Sequence, residues 1–257
     1  MFVPPDLADF ALELARLARR ETLPRFAAGV EASDKGGREF DPVTEADREA
    51  ERAMREAIAA RFPDHGIRGE EFGDRPGDSR WSWSLDPVDG TRSFICGLPS
   101  WVTLIALLDQ GRPVLGVIDA PVLNETNLGH DKTARVGDQP ASTSGCVRLA
   151  DARLSTTDPC MFGGADASGF DAVRRAAKVA RYGLDGYAYA RLAAGRLDLV
   201  IENQLKPHDY NALIPVIRAS GGHIGDWRGG EDFGSGAVVA AASRALYDEA
   251  VALLRSA

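Results

Sequence analysis

Between Val102 and Gly129 the chain repeats one device: apolar runs of strand length, VTLIALL and PVLGVIDA, broken by the turn signals DQGRP and APVLNE. Connections this short let a strand pair only with its sequence neighbour, and in antiparallel sense, because a parallel return needs a crossover of a dozen residues or more. This stretch therefore commits the first half of the chain to a sheet with consecutive neighbours. Upstream, GIRGEEFG and WSWSL read as short strands ending in acids, Glu70 and Asp86. Two amphipathic helices precede them. Leu7, Phe10, Ala11, Leu14, Leu17 and Ala18 recur at helical spacing in the first, and Thr44 starts a second over 45–61 that Pro63 ends. The polar, glycine-containing segment EASDKGGREFDP between them reads as a mobile loop able to close over a site.

From Gly137 to Asp151 the sequence GDQPASTSGCVRLAD is small and polar, the composition of a boundary that few contacts cross. The expected division is an N-terminal α+β lobe over 1–148 and a C-terminal α/β lobe over 149–257. In the second, helical patterns at 170–180, 186–194, 210–219 and 243–254 alternate with short apolar runs such as LDLVIE. The 257 residues suffice for one large domain or two ordinary lobes, and no internal repeat is visible. With 30 basic against 38 acidic residues, a formal charge of −8 and no basic run, direct nucleic-acid binding is not expected. Cys96, Cys146 and Cys160 are an odd number at wide spacing, read as reduced thiols of a cytoplasmic protein. The N-terminal stretch lacks a basic leader before an apolar block, so no signal peptide is expected. The longest apolar runs, such as LIALL, fall far short of the roughly 20 residues of a bilayer span. The expectation is a soluble protein with no membrane partner.

The segment SLDPVDGTRSF, residues 84–94, places Asp86 and Asp89 three apart across a proline and then a Gly-Thr pair where a helix can begin. Pro87 fixes its own φ and disfavours helix before it, so Asp86 is expected extended, with Val88 and Asp89 in a turn. Both side chains and the Val88 carbonyl can then face one point, and oxygen donors of this kind suit magnesium. Glu70 adds enough ligands for two or more ions. The N–H groups of Gly90, Thr91 and Arg92 at the helix start can cradle a phosphate, and cations would reverse the repulsion between that anion and the acids. Each piece also has a plainer reading. An Asp-Pro-x-Asp-Gly run is an ordinary turn former, Thr44 and Asp47 form a helix capping box, and Asp209 before YNALIPVI is a good helix N-cap.

With DPVTEAD at 41–47, GEE at 69–71, DPVDGTRSF at 86–94 and KPHDYNAL at 206–213, nearly the whole chain resembles the inositol monophosphatase superfamily. That resemblance implies an alternating αβαβα sandwich, a homodimer, and two to three Mg2+ ions per site. Carried over by position, it implies a first metal on Glu70, Asp86 and the Val88 carbonyl, a second on Asp86, Asp89 and Asp209, and a third near Glu70. It gives Gly90 and Thr91 the phosphate, and Thr91 with Asp47 the attacking water. Asp47, Glu70 and Thr91 are thus the catalytic set, and Lys35 belongs to the loop that helps complete the metal site.

The segments RLSTTDP, RYGLDGYAYARLAAGRLDLVIE and LKPHDYNALIPVIRASGG, with Ser93 where inositol phosphatases usually carry Asn, look like the histidinol-phosphate phosphatase branch. The resemblance implies hydrolysis of a small phosphate ester, L-histidinol phosphate, in histidine synthesis. Its substrate-contacting positions fall on Asp185 and Glu202, two carboxylates suited to an ammonium and an imidazole. Asp185 is equally an N-cap for GYAYARLAA, and Glu202 a surface acid at a strand end. His208 stands where the family commonly has an aromatic, and reads as a packed, hydrogen-bonded side chain or a support behind the ligands. His65, His130 and His223 show no ligand spacing. Alternatives are an inositol monophosphatase, a broad sugar or alcohol phosphatase, and a transcription-associated regulatory protein.

Overall fold

The apolar stripe of the first helix is buried along its length: α1 (Pro5–Ala28) covers Leu7, Phe10, Ala11, Leu14 and Ala18. This computed structural model of the chain describes residues 2–29, 33–34 and 42–256. The loop containing Lys35, and Asp41 with it, lies outside the described residues; the backbone of β1 (Ser33–Asp34) pairs antiparallel with β2 (Pro42–Val43). Helix α2 (Glu45–Arg61) follows, capped by Thr44 and burying Ala50, Met54 and Ile58 on one face.

Next come β3 (Gly66–Gly69), β4 (Gly73–Arg75), β5 (Trp81–Asp89), the single turn α3 (Thr91–Ile95), then β6 (Val102–Asp109), β7 (Arg112–Ala120), β8 (Glu125–His130), β9 (Thr133–Val136) and β10 (Gln139–Pro140). They form an eight-stranded sheet in the order β10-β9-β8-β7-β6-β5-β3-β4. From β5 to β10 every pairing joins sequence neighbours in antiparallel sense, as the turn signals require; only β3 and β5 run parallel.

The second half supplies β11 (Arg153–Thr156), α4 (Gly164–Ala176), β12 (Val179–Tyr182), α5 (Gly186–Ala193), β13 (Leu199–Glu202), α6 (Pro207–Tyr210), α7 (Leu213–Ala219), β14 (His223–Asp226), β15 (Val238–Ala241) and α8 (Arg244–Ser256). Its five strands are ordered β12-β11-β13-β15-β14, with β11 parallel to both neighbours. The two sheets fall on either side of Arg148.

Three apolar clusters stack these elements into five layers. Phe10, Leu14, Met54 and Ile58 of α1 and α2 meet Trp83, Leu85, Ile105 and Val117 on one face of the large sheet. On its other face Leu104 and Ile118 meet Tyr189, Leu192, Leu213 and Val216 of α5 and α7, which also touch Val200, Ile224 and Val238 of the small sheet. Phe170, Val173, Leu246 and Tyr247 of α4 and α8 cover the far side. The result is the αβαβα sandwich. None of the described helices is long and apolar enough to cross a membrane.

Three local expectations are corrected. The helix expected at 170–180 runs from Gly164 to Ala176, and Val179–Tyr182 is an edge strand. Pairing with β11 satisfies that backbone, and tertiary context overrides the helix propensity of the alanines. The helix expected at 210–219 is split into α6 and α7, because Pro215 has no N–H for the carbonyl of Asn211 four residues back. Strand β5 does not stop at Asp86: Asp86 pairs with Leu104 and Asp89 with Val102, so Pro87 and Val88 form a bulge within the strand and Asp89 is paired beyond it, rather than Val88 and Asp89 sitting in a turn after the strand.

Helix α7 sits directly on the large sheet because two strand positions there lack side chains. A Cβ on Gly116 would lie 2.0 Å from the Ala212 carbonyl oxygen, and one on Gly129 2.4 Å from Val216 Cα. Backbone atoms cannot yield as a flexible side chain does. Gly129→Ala is therefore expected to cost about 1–3 kcal/mol in urea unfolding, and an unchanged midpoint would show that α7 can move away freely.

Candidate metal-binding active site

The ends of β3 and β5 and the short helix α6 converge. One ligand atom each from Asp86, Asp89 and Asp209 lie within 4.8 Å of one another, and so do single atoms of Glu70, Asp86 and His208. Asp86 belongs to both groups. The bulge explains how: it turns Asp86 and Asp89, three apart, toward one region, and Thr103 Oγ1 holds the bulged Pro87 carbonyl at 2.7 Å. The Val88 N–H donates to Asp86 Oδ1 at 3.1 Å, and Thr91 Oγ1 donates to the Val88 carbonyl at 3.1 Å. Gly90, with φ +89°, supplies the left-handed corner between β5 and α3. Asp89 accepts from the Gly186 N–H; a Cβ on Gly186 would lie 2.4 Å from Asp89 Oδ2, so close approach requires glycine there.

Burial, and then the mutual repulsion of the acids, pushes the carboxyls of Asp86 and Asp89 well above the carboxylate range. Asp209 is raised too, mainly by burial, although its Oδ2 accepts the Lys206 N–H at 2.7 Å. Acids raised in this way are short of positive charge, which a bound cation supplies. The donor set, carboxylate oxygens and one imidazole nitrogen gathered within 4.8 Å of one another, fits divalent cations.

Helix α2 braces this centre from behind. Glu51, fully buried, accepts the Glu71 N–H at 2.8 Å and the Arg55 Nε–H at 2.6 Å, and so fixes the backbone beside Glu70. One turn earlier, Asp47 Oδ2 accepts the Thr44 N–H at 2.9 Å and the Thr44 hydroxyl at 2.6 Å, the capping box read from the sequence. Its burial outweighs these bonds and raises its carboxyl to about 7. Among the described residues no hydrogen bond joins Thr91 to Asp47.

A cavity of about 120 Å3 adjoins the Asp89–Asp209 side and is lined by Thr157, Asp185, Tyr189 and Glu202. Glu202 Oε1 accepts the Thr157 N–H at 2.8 Å and its hydroxyl at 3.1 Å, while Glu202 Oε2 and the Tyr189 hydroxyl are buried without a hydrogen-bond partner among the described residues. Burial raises Glu202 to about 8 and Asp185 to about 6. Asp185 occupies the N-cap position of α5 but caps nothing; the Ser93 hydroxyl donates to its Oδ2 at 3.3 Å. Its backbone, φ 48° and ψ −142°, is a conformation that glycine prefers, and strain of this kind concentrates at functional positions.

Glu70, Asp86, Asp89 and Asp209 are therefore brought together, and Asp185 and Glu202 share the adjoining cavity. Asp209 is the third residue of α6 rather than its N-cap. Sequence reasoning missed Thr157, Glu51 and the direction of His208. Of these only His208 carried a signal, its place immediately before Asp209.

The five-layer αβαβα sandwich thus gathers buried Asp86 and half-buried Glu70, Asp89 and Asp209 at strand and helix ends, in groups that could hold a metal ion. The profile of the inositol monophosphatase family matches residues 5–257, and the chain belongs to that family of phosphatases. The histidinol-phosphatase of Chlorobaculum parvum is 34% identical over 97% of this chain and 96% of its own. The chloroplastic bifunctional phosphatase IMPL2 of Arabidopsis thaliana is 46% identical over 74% of this chain, and the match spans 56% of that longer protein. Among solved structures, an inositol monophosphatase from Zymomonas mobilis superposes with a TM-score of 0.88 at 36% identity, covering 99% of this chain and all of that one.

Proposed function

We propose that the chain is a magnesium-dependent histidinol-phosphate phosphatase of histidine synthesis. The observation that carries this reading is the cavity beside Asp89 and Asp209, in which two carboxylates, buried Glu202 and half-buried Asp185, face the space where an ester's alcohol portion would lie. A neutral polyol gains little from two such acids, whereas an ammonium and an imidazole neutralise them. The resemblance to a histidinol-phosphatase over nearly the whole chain supports the same substrate. The full-length likeness to an inositol monophosphatase keeps a polyol phosphate as the second reading.

In this reading Glu70, Asp86, the Val88 carbonyl, Asp89 and Asp209 hold two to three Mg2+ ions. Bound magnesium supplies positive charge that polarises the phosphoryl group and acidifies water. The backbone of Gly90 and Thr91 receives the phosphate oxygens. Asp47, with its raised carboxyl, and Thr91 orient the attacking water and take its proton. Water forms the new P–O bond as the P–O bond to the alcohol breaks in line, and the proton taken from the attacking water returns through solvent to the departing oxygen, so that the alcohol leaves neutral. A cytoplasmic homodimer with lobes at 1–148 and 149–257 belongs to the same proposal.

Phosphate release from L-histidinol phosphate and inositol 1-phosphate, measured side by side with Mg2+ and then with chelator, tests it. The expected result is a higher kcat/KM for histidinol phosphate that chelator abolishes. A preference for the inositol ester would keep the mechanism and overturn the substrate. Asp185→Ala is expected to raise KM for histidinol phosphate about 10- to 100-fold, the worth of a charge-assisted hydrogen bond, with far less effect on a neutral sugar phosphate. Equal losses on both would remove Asp185 from amine recognition.

A further inference from the structure

We propose that His208 is a metal ligand, and that with Glu70 and Asp86 it forms a mixed nitrogen–oxygen site that accepts Mg2+ but binds a first-row transition cation more tightly through the added nitrogen. The inference rests on the reading of Glu70 and Asp86 as ligands. Two atoms that each sit about 2.0–2.2 Å from one ion are about 3 Å apart when adjacent and just over 4 Å apart when opposite. His208 Nε2 lies 4.0 Å from Glu70 Oε1, inside that range, and single atoms of all three residues fall within 4.8 Å of one another. Position in the chain supports it. His208 and Asp209 are consecutive on α6, and each belongs to a different group, so this turn delivers one donor to either side of the shared Asp86.

The chemistry then differs from an all-oxygen site. Magnesium binds oxygen donors and keeps much of its water, whereas imidazole nitrogen favours transition ions in the order of their general affinity for nitrogen. The competing role for His208 is a charge partner of Asp209, whose Oδ1 lies 3.4 Å from Nε2. That role needs no metal–nitrogen bond.

Pulsed electron paramagnetic resonance of the Mn2+-loaded protein reads that bond directly. The unmutated protein is expected to show nitrogen modulation from one imidazole, which changes to the 15N pattern when its histidines are 15N-labelled; this arm needs no substitution. In calorimetry, His208→Phe is expected to bind Mn2+ and Zn2+ at least tenfold more weakly while Mg2+ affinity changes less than threefold. Asp86→Asn serves as the control. Mn2+ binding that Asp86→Asn abolishes, but that shows no nitrogen modulation and is unchanged in His208→Phe, would overturn the role of His208 and leave the metal centre intact. Failure of the unmutated protein to bind Mn2+, or equal binding by Asp86→Asn, would overturn the metal centre and the His208 site together.

Discussion

Asp86→Asn is expected to reduce Mg2+-dependent phosphate release by at least 10³-fold, about 4 kcal/mol of transition-state stabilisation. The same substitution should leave the metal-free protein as stable as before, or more so. Asp86 is the one acid common to both ligand groups, so its loss disables both. It is also buried beside Glu70, Asp89 and Asp209, and its charge is opposed by burial and by theirs. Asn removes that charge while its side-chain oxygen can still accept the Val88 N–H that Asp86 Oδ1 now accepts at 3.1 Å. Thermal unfolding with and without Mg2+ separates the two effects. The metal-free melting temperature should hold or rise, and the upward shift on adding Mg2+ should vanish. A variant that keeps a normal Mg2+ shift would show that the ions are held elsewhere.

The metal-free protein should lose stability as pH rises from about 5 to 8. Asp47, Asp185 and Glu202 have folded-state carboxyls at about 7, 6 and 8, all above their unfolded values. Between the unfolded and folded pKa the native state binds more protons than the unfolded chain, so stability falls as pH increases through that window. Asp171, Asp198 and Asp226 are shifted downward by Arg174, by Arg153 and Ser144, and by backbone N–H groups; their contribution is complete above the ordinary carboxylate range and lost only in acid. Together these place the optimum of the metal-free protein near pH 5. Three raised carboxyls amount to several kcal/mol, so the melting temperature should fall on the order of 10 °C toward pH 8. Saturating Mg2+ should flatten the slope. A metal-free curve that rises from pH 5 to 8 would contradict the burial of these acids.

The antiparallel order of the large sheet was legible because short turns leave strands no other partner, and α1 and α2 because their apolar spacing has only one buried face. The acids that the fold gathers were legible as motifs at 70, 86–89 and 209. Local reasoning failed where long-range pairing intervened: the strand at 179–182 formed against β11, and β5 continued through a bulge set by its register with β6.

By itself, then, the sequence determined which donors exist and which local elements carry them, since propensity, turn chemistry and periodicity act over a few residues. Only the tertiary structure decided that His208 turns toward Glu70 and Asp86, that Glu51 braces the turn behind Glu70, and that Thr157 ties down Glu202 in a cavity shared with Asp185. Those contacts join residues 20 to more than 120 positions apart. The His208 contact depends on how the two sheets pack across α5 and α7, the Glu51 contact on how α2 lies on the large sheet, and the Thr157 contact on the pairing of β11 with β13, none of which a short stretch of the chain encodes.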